Sequence, residues 1–239
     1  MGSDMPSGPD GRSVTQVSAQ ILIENCYIVT VDARRREIDG GSVLVDGERI
    51  AAVEAGRIDD GDDRLCDTVI RVDGLGCVLT PGLINTHHHL YQWITRGMAA
   101  DQTLFEWLTT LYPVWAGIDE AAVHAAALGG LAQLALSGCT TTTDHHYVFP
   151  RDGGDLLGAE IAAAEAMGLR FHPTRGSMDL SEKDGGLPPD TVVESIDEIL
   201  TASAQAVDRW HDPGPGAMLR IGIAPCSPCL LYTSPSPRD

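Results

Sequence analysis

Three consecutive histidines, His87, His88 and His89, close an apolar, β-branched run that starts at Val78 and is punctuated by Pro81-Gly82. A short run of this kind suits a buried strand. Side chains alternate along a strand, so His87 and His89 share one side and His88 faces the other. Two imidazoles so placed can converge on one metal ion at about 2.0–2.1 Å each. A divalent ion held there would lower the pKa of its water towards neutrality and make hydroxide available for hydrolysis. Three histidines in a row contain an H-x-H by arithmetic, however. Spacing alone therefore leaves a histidine-rich loop without metal as an open alternative.

The elements that must position this triplet are legible around it. Residues 20–31 read as a strand, and 42–54 as a hairpin turning at Asp46-Gly47, with a polar connection from Ala33 to Gly41. With the strand in VIRVDGLGCVL, residues 20–77 form a small all-β module. After the histidines the pattern alternates. Leu104 to Leu108 begins a short helical segment. Asp119 caps a helix that stops at Gly138, with Val123, Ala127, Leu131, Leu134 and Ala135 on one face. Strand GCTTTTD (138–144) leads to His145 and His146, and a helix then runs to Gly168. Strand LRFHPTR ends at Arg175. A third helix is predicted with Asp190 or Thr191 as its cap and Val193, Ile196, Leu200, Ala204 and Val207 on one face. MLRIGIAP (218–225) is the fourth strand. Strand–helix alternation implies a parallel sheet with right-handed crossovers. Four such units occupy residues 78–228, where a complete (β/α)8 barrel needs about 250 residues. Residues 1–19 read as a disordered leader, and the Ser/Pro-rich residues 229–239 as a non-native tail resembling translated vector sequence.

Composition narrows the function classes. The 239 residues carry 16 basic and 34 acidic side chains, a net charge of −18, which argues against nucleic acid as a partner and for a small-molecule substrate. No run approaches the roughly 20 apolar residues of a membrane helix. The start of the chain lacks the basic and apolar parts of a secretory signal. Six scattered cysteines without a disulfide rhythm then point to reduced thiols in the cytoplasm. The spelling P-C-x-x-C at residues 225–229 is half of a cytidine-deaminase zinc signature, and its H-x-E half occurs nowhere in the chain.

The run Pro81-Gly82-Leu83-Ile84-Asn85-Thr86-His87-His88-His89 resembles the P-G-[LF]-[IV]-[DN]-x-H-x-H signature of the amidohydrolase superfamily. The resemblance implies an α/β fold, a (β/α)8 metal-dependent hydrolase barrel of which about the first half is present, preceded by the β module. It makes His87 and His89 metal ligands, for Zn2+ or alternatively Fe2+. It implies metal-hydroxide attack on an sp2 ring carbon. The family's remaining ligands and proton-transfer groups would fall beyond residue 228, so no catalytic acid or base is assigned here. His89-Leu90-Tyr91-Gln92-Trp93, the Thr103–Leu108 run, Ser137–His146, Arg175–Met178 and Ala224–Pro228 are together similar to the 8-oxoguanine deaminases of that superfamily. Triazine-ring aminohydrolases and guanine deaminases are the alternatives.

On this reading five residues are candidates for substrate contact. Gln92 follows the histidine strand at the barrel's active-site end, where a carboxamide can donate to and accept from a purine edge. Trp107 walls the pocket or is plain core. His145 is on the rim after the second strand. Arg175 binds a polar substrate edge or pairs with an acid. Cys226 ends the fourth strand. Family members are often oligomers, which implies a homo-oligomer at full length. A different class of reading is an inert fragment or binding module, because two metal ligands are fewer than such a site uses.

Overall fold

A computed structural model of the chain describes residues 19–225, so the expected leader (but for its last residue), the tail and Cys226 lie outside the described residues. The described residues fall into two units divided between Pro81 and Gly82.

The first unit is a β sheet. Strand β1 (Gln20–Val29) pairs antiparallel with β2 (Glu37–Asp46), which pairs antiparallel with β3 (Arg49–Glu54). On its other side β1 takes two parallel partners, β4 (Ile70–Asp73) and β5 (Val78–Leu79). Two small clusters fill it, one around Leu22, Leu44 and Ile58 and one around Cys26, Ile28 and Val43. Three expectations shift. Asp46 pairs with Arg49, so the two-residue loop is Gly47-Glu48, with Gly47 in the left-handed region that such tight hairpins require. β2 begins inside the segment read as a polar connection, because Ile38 finds a partner in Ile28. Val78 and Leu79 pair with β1, so the boundary lies at the Pro81-Gly82 break rather than before Val78.

The second unit is a parallel sheet in the order β6 (Leu83–Asn85), β7 (Cys139–His146), β8 (Arg170–Ser177) and β9 (Gly222–Pro225). Helices α2 (Glu120–Leu136), α3 (Leu156–Met167) and α4 (Ile196–Trp210) make the crossovers, and α1 (Leu104–Trp115) lies between β6 and α2. Asp119 caps α2 by accepting from the Ala122 N–H, and Asp155 caps α3 by accepting from Gly158. Gly168 ends α3 at φ +67°, a conformation that costs a residue with a Cβ. Val123, Ala127 and Leu131 of α2 are fully buried at helical spacing, and a side chain of leucine size contributes about 1.5–3 kcal/mol when buried.

Local details depart from the sequence reading. α1 is a full three turns and carries Pro113 in its last turn, where the missing N–H removes one intrahelical hydrogen bond. α4 starts at Ser195, not Asp190 or Thr191. Ser195 and Glu198 form a reciprocal capping box, and residues 190–192 are a separate turn. Of the face expected to be buried, Ile196, Leu200 and Val207 are exposed, and Ala206 takes the core position. Leu83 and Ile84 are exposed too, because among the described residues β6 is an edge strand with β7 as its one neighbour in the sheet.

Candidate metal centre

The strand of the histidine triplet ends at Asn85, and the triplet continues as irregular backbone into a turn of 3-10 helix at Leu90–Thr95. Gly130 of α2 lets that turn sit close, since a Cβ there would come within 2.6 Å of Leu90 and 3.0 Å of the Trp93 indole nitrogen. The chain around the triplet is tied to the end of β7 at three points. The His145 N–H donates to the His88 carbonyl at 2.8 Å. The His89 ring donates from Nδ1 to the His145 carbonyl at 2.8 Å. The Leu90 N–H donates to Asp144 Oδ1 at 2.6 Å.

These ties gather three imidazoles at the C-terminal ends of β6 and β7. The ring centroids of His87 and His89 lie 5.0 Å apart, those of His87 and His145 5.2 Å, and those of His89 and His145 5.9 Å. His88 turns away: it stacks on Trp93 and accepts from the indole N–H at 3.4 Å. A carbonyl oxygen can only accept, so His89 carries its proton on Nδ1 and keeps the Nε2 lone pair free. Burial, outweighing the hydrogen bond to His145, holds the His89 pKa down to about 4, and burial beside His87 also lowers that of His145. Both rings are therefore neutral at pH 7. Neutral imidazoles with free lone pairs are the donors that zinc, copper, nickel and iron accept.

Behind this cluster is a second polar group that sequence reasoning missed. Asp144, His146 and Glu160 are all fully buried. Their ligating atoms lie within 4.8 Å of one another, which also makes them a candidate metal triad. The geometry is that of a hydrogen-bonded set instead. Glu160 Oε1 is 2.7 Å from His146 Nδ1, and His146 Nε2 donates to the Val148 carbonyl at 2.9 Å, so both ring nitrogens are engaged. Burial lifts the Glu160 pKa to about 8 and lowers that of His146 to about 4. A protonated Glu160 thus donates to a neutral imidazole. The signal for this group was present. Glu160 falls at helical spacing with Leu156, Leu157, Ile161 and Ala164, the buried face of α3.

The substrate-contact candidates separate by strand parity. Gln92 lies in the 3-10 turn, half-buried, and donates to the Tyr91 hydroxyl at 3.3 Å. Trp107 packs edge-on against Trp115 at 5.0 Å, and Trp115 in turn meets Tyr91, so two rings stand between it and His89. Trp107 itself is partly buried against this core cluster. Arg175 is opposite His146 in the β7–β8 register, whereas His145 is opposite Thr174. Arg175 therefore belongs to the helix-facing side of the sheet and not to the side of the imidazole cluster. It pairs with Glu194 at 2.5 Å and lies 3.7 Å over the Phe149 ring. A cavity of about 1190 Å³ between the β7–α3 loop and α4 is lined by Arg175, Phe149 and Glu194, and the three clustered histidines are not among its walls.

The model of the amidohydrolase family matches residues 78–229, more than half of the chain. The chain belongs to the amidohydrolase family. Among its curated relatives, this amidohydrolase is 44% identical over 191 residues to 8-oxoguanine deaminase of Pseudomonas aeruginosa, covering 79% of the chain and 41% of the relative. It is 41% identical over 162 residues to hydroxydechloroatrazine ethylaminohydrolase of Pseudomonas sp. strain ADP, covering 66% of the chain and 34% of that enzyme. Among solved structures, atrazine chlorohydrolase from Arthrobacter aurescens complexed with zinc superposes with a TM-score of 0.78 at 32% identity, over 86% of this chain and 46% of that one. The amidohydrolase chain described here thus spans less than half the length of each of these relatives. Among the described residues no helix is long and apolar enough to cross a membrane.

Proposed function

We propose that this chain is the N-terminal part of a zinc-dependent hydrolytic deaminase acting on an oxidised purine, converting 8-oxoguanine and water to urate and ammonia. The observation that carries the proposal is the imidazole cluster at the ends of β6 and β7, with His89 Nε2 free to coordinate. The donor set fits the ion: His89 and His145 are neutral, and among the described residues no carboxylate hydrogen bond engages the three rings. His87 and His89 would hold the zinc. When bound, zinc supplies Lewis acidity that makes hydroxide available near neutral pH. His145 borders the same space and contacts substrate. Gln92, one turn on, offers both a donor and an acceptor to a purine edge. Trp107 acts at one remove, by buttressing the Trp115–Tyr91 stack. Cys226 keeps its proposed role at the end of the fourth strand, outside the described residues.

Two further parts of the proposal have their own support. Cys26, Cys66, Cys77 and Cys139 are free thiols, which supports a cytoplasmic location. The surplus of acidic residues supports a small-molecule substrate over nucleic acid. Assembly into a homo-oligomer rests on the family resemblance. By itself the 239-residue chain is proposed to be inactive, because two ligands leave a mononuclear site incomplete. The triazine reading has one observation in its favour, the 41% identity to hydroxydechloroatrazine ethylaminohydrolase.

A chimera separates the readings. Residues 20–225 replace the matching part of the Pseudomonas aeruginosa 8-oxoguanine deaminase, and ammonia release is measured from 8-oxoguanine, guanine and a hydroxytriazine. The expected result is release from 8-oxoguanine above the other two. A preference for the hydroxytriazine contradicts the substrate assignment.

A further inference from the structure

We propose that Asp144 is a positioning residue for His89: by holding the Leu90 N–H it fixes the backbone that presents the His89 ring, and so selects the tautomer whose Nε2 is free. The inference rests on the reading of His89 as a metal ligand, and it concerns a side chain to which that reading gives no role.

The argument is geometric. His89 is followed at once by Leu90, whose N–H meets Asp144 Oδ1 at 2.6 Å. Asp144 is fully buried, so no solvent substitutes for that acceptor. The same oxygen faces His88 Nδ1 at 3.9 Å. Accepting the indole proton at Nε2 leaves His88 with its own proton on Nδ1, so a ring N–H of His88 is turned toward the Asp144 carboxyl group. Asp144 Oδ1 thus accepts from the residue after His89 and lies near, but beyond hydrogen-bond distance of, the residue before it. Among the described residues the His89 ring has one hydrogen bond of its own, from Nδ1 to the His145 carbonyl, and His145 is the residue next to Asp144 on β7. A shift of Leu90 relative to β7 would break the register between the ring and that carbonyl. Asp144 is held in turn from behind. β7 places it on the helix-facing side with His146, and the Glu160–His146–Val148 hydrogen-bond chain fixes the wall it stands against. Outer groups that orient a ligating histidine typically change metal affinity by about 10–100-fold when removed.

The test uses the 239-residue chain and the variants D144A, D144S, D144N, H87A and H89A. Nitrogen-15 multiple-bond spectra of the metal-free chain report the His89 tautomer, the Leu90 amide proton shift reports its hydrogen bond, and competition with a chelator gives zinc affinity. In the parent chain His89 is expected as the Nδ1–H form. In D144A, His89 becomes a mixture of tautomers, the Leu90 amide proton moves upfield, and zinc affinity falls about 10–100-fold. D144S, too short to reach Leu90, behaves the same way if D144A does not fold. D144N keeps an acceptor oxygen and stays within about threefold of the parent. A folded D144A or D144S with an unchanged His89 tautomer and unchanged zinc affinity overturns the proposal, as does a D144N as impaired as D144A. The tautomer is read without metal. If H87A and H89A leave zinc binding intact, the metal reading fails separately and the spectra still decide the role of Asp144.

Discussion

Removing either outer imidazole, in H87A or H89A, lowers the zinc affinity of the chain by about 100-fold, whereas H88A leaves it within about threefold of the parent. Structural zinc sites with four ligands bind with about 10–16 kcal/mol, so one ligand is worth about 3 kcal/mol, or roughly a factor of 100. His88 is excluded by direction. It stacks on Trp93, and its Nε2 accepts the indole proton. The contrast between neighbouring histidines is the informative part, since all three lie in one short segment and share its local stability. Chelator competition at pH 7 measures it. Equal losses in all three variants would mean that the triplet binds zinc as a flexible tag and not as a shaped site.

The second large effect concerns Glu160. E160A removes the donor to His146 Nδ1 and leaves a cavity, and is expected to cost about 3–5 kcal/mol. E160Q is expected to cost no more than about 1 kcal/mol at pH 6.5, because a carboxamide N–H can replace the carboxylic O–H donated to Nδ1. The two differ in pH dependence as well. Glu160 stays protonated in the folded chain up to about pH 8 but ionises above its ordinary value of 4.5 when unfolded. Folding therefore takes up a proton in that range, and the contribution of Glu160 to stability falls as pH rises from 4.5 to 8. Asp144, raised by burial and by Glu160, acts in the same direction. His146 opposes them only below its ordinary value of 6.5, since its folded pKa is near 4. Between pH 6.5 and 8 the acids act alone, and Glu160 accounts for a loss of about 2 kcal/mol. Urea unfolding at pH 6.5 and 8 should show that slope in the parent chain and a flatter one in E160Q. An E160Q as unstable as E160A at pH 6.5 would show that Glu160 is ionised in the folded chain.

The parts of the fold and site that were legible in the sequence are those set by local chemistry. The Asp119 cap, the Gly168 stop and the β-branched run of β7 stand where propensity and capping predict them. Alternation separated His88 from its two neighbours although the triplet is not in a strand, because the ties to β7 impose the same division. What escaped was set by pairing between distant segments. His145 and Arg175 each lie within two residues of a strand's C-terminal end, but the register aligns Arg175 with His146, so the two candidates fall on opposite sides of the sheet. Register is not written in either strand alone. The α4 start is legible in Ser195-x-x-Glu198, a capping box that lies four to five residues beyond the Asp190 and Thr191 caps. The Asp144–His146–Glu160 group required both the strand period of β7 and the helical period of α3, read together.

The most direct measurement locates the ion. Crystals of the chain grown with zinc give an anomalous difference map at the zinc absorption edge. The account predicts a peak bonded to the rings of both His87 and His89, with Nδ1 of His89 still donating to the His145 carbonyl. A peak within the Asp144–His146–Glu160 triad, or one that touches neither outer imidazole, would contradict it.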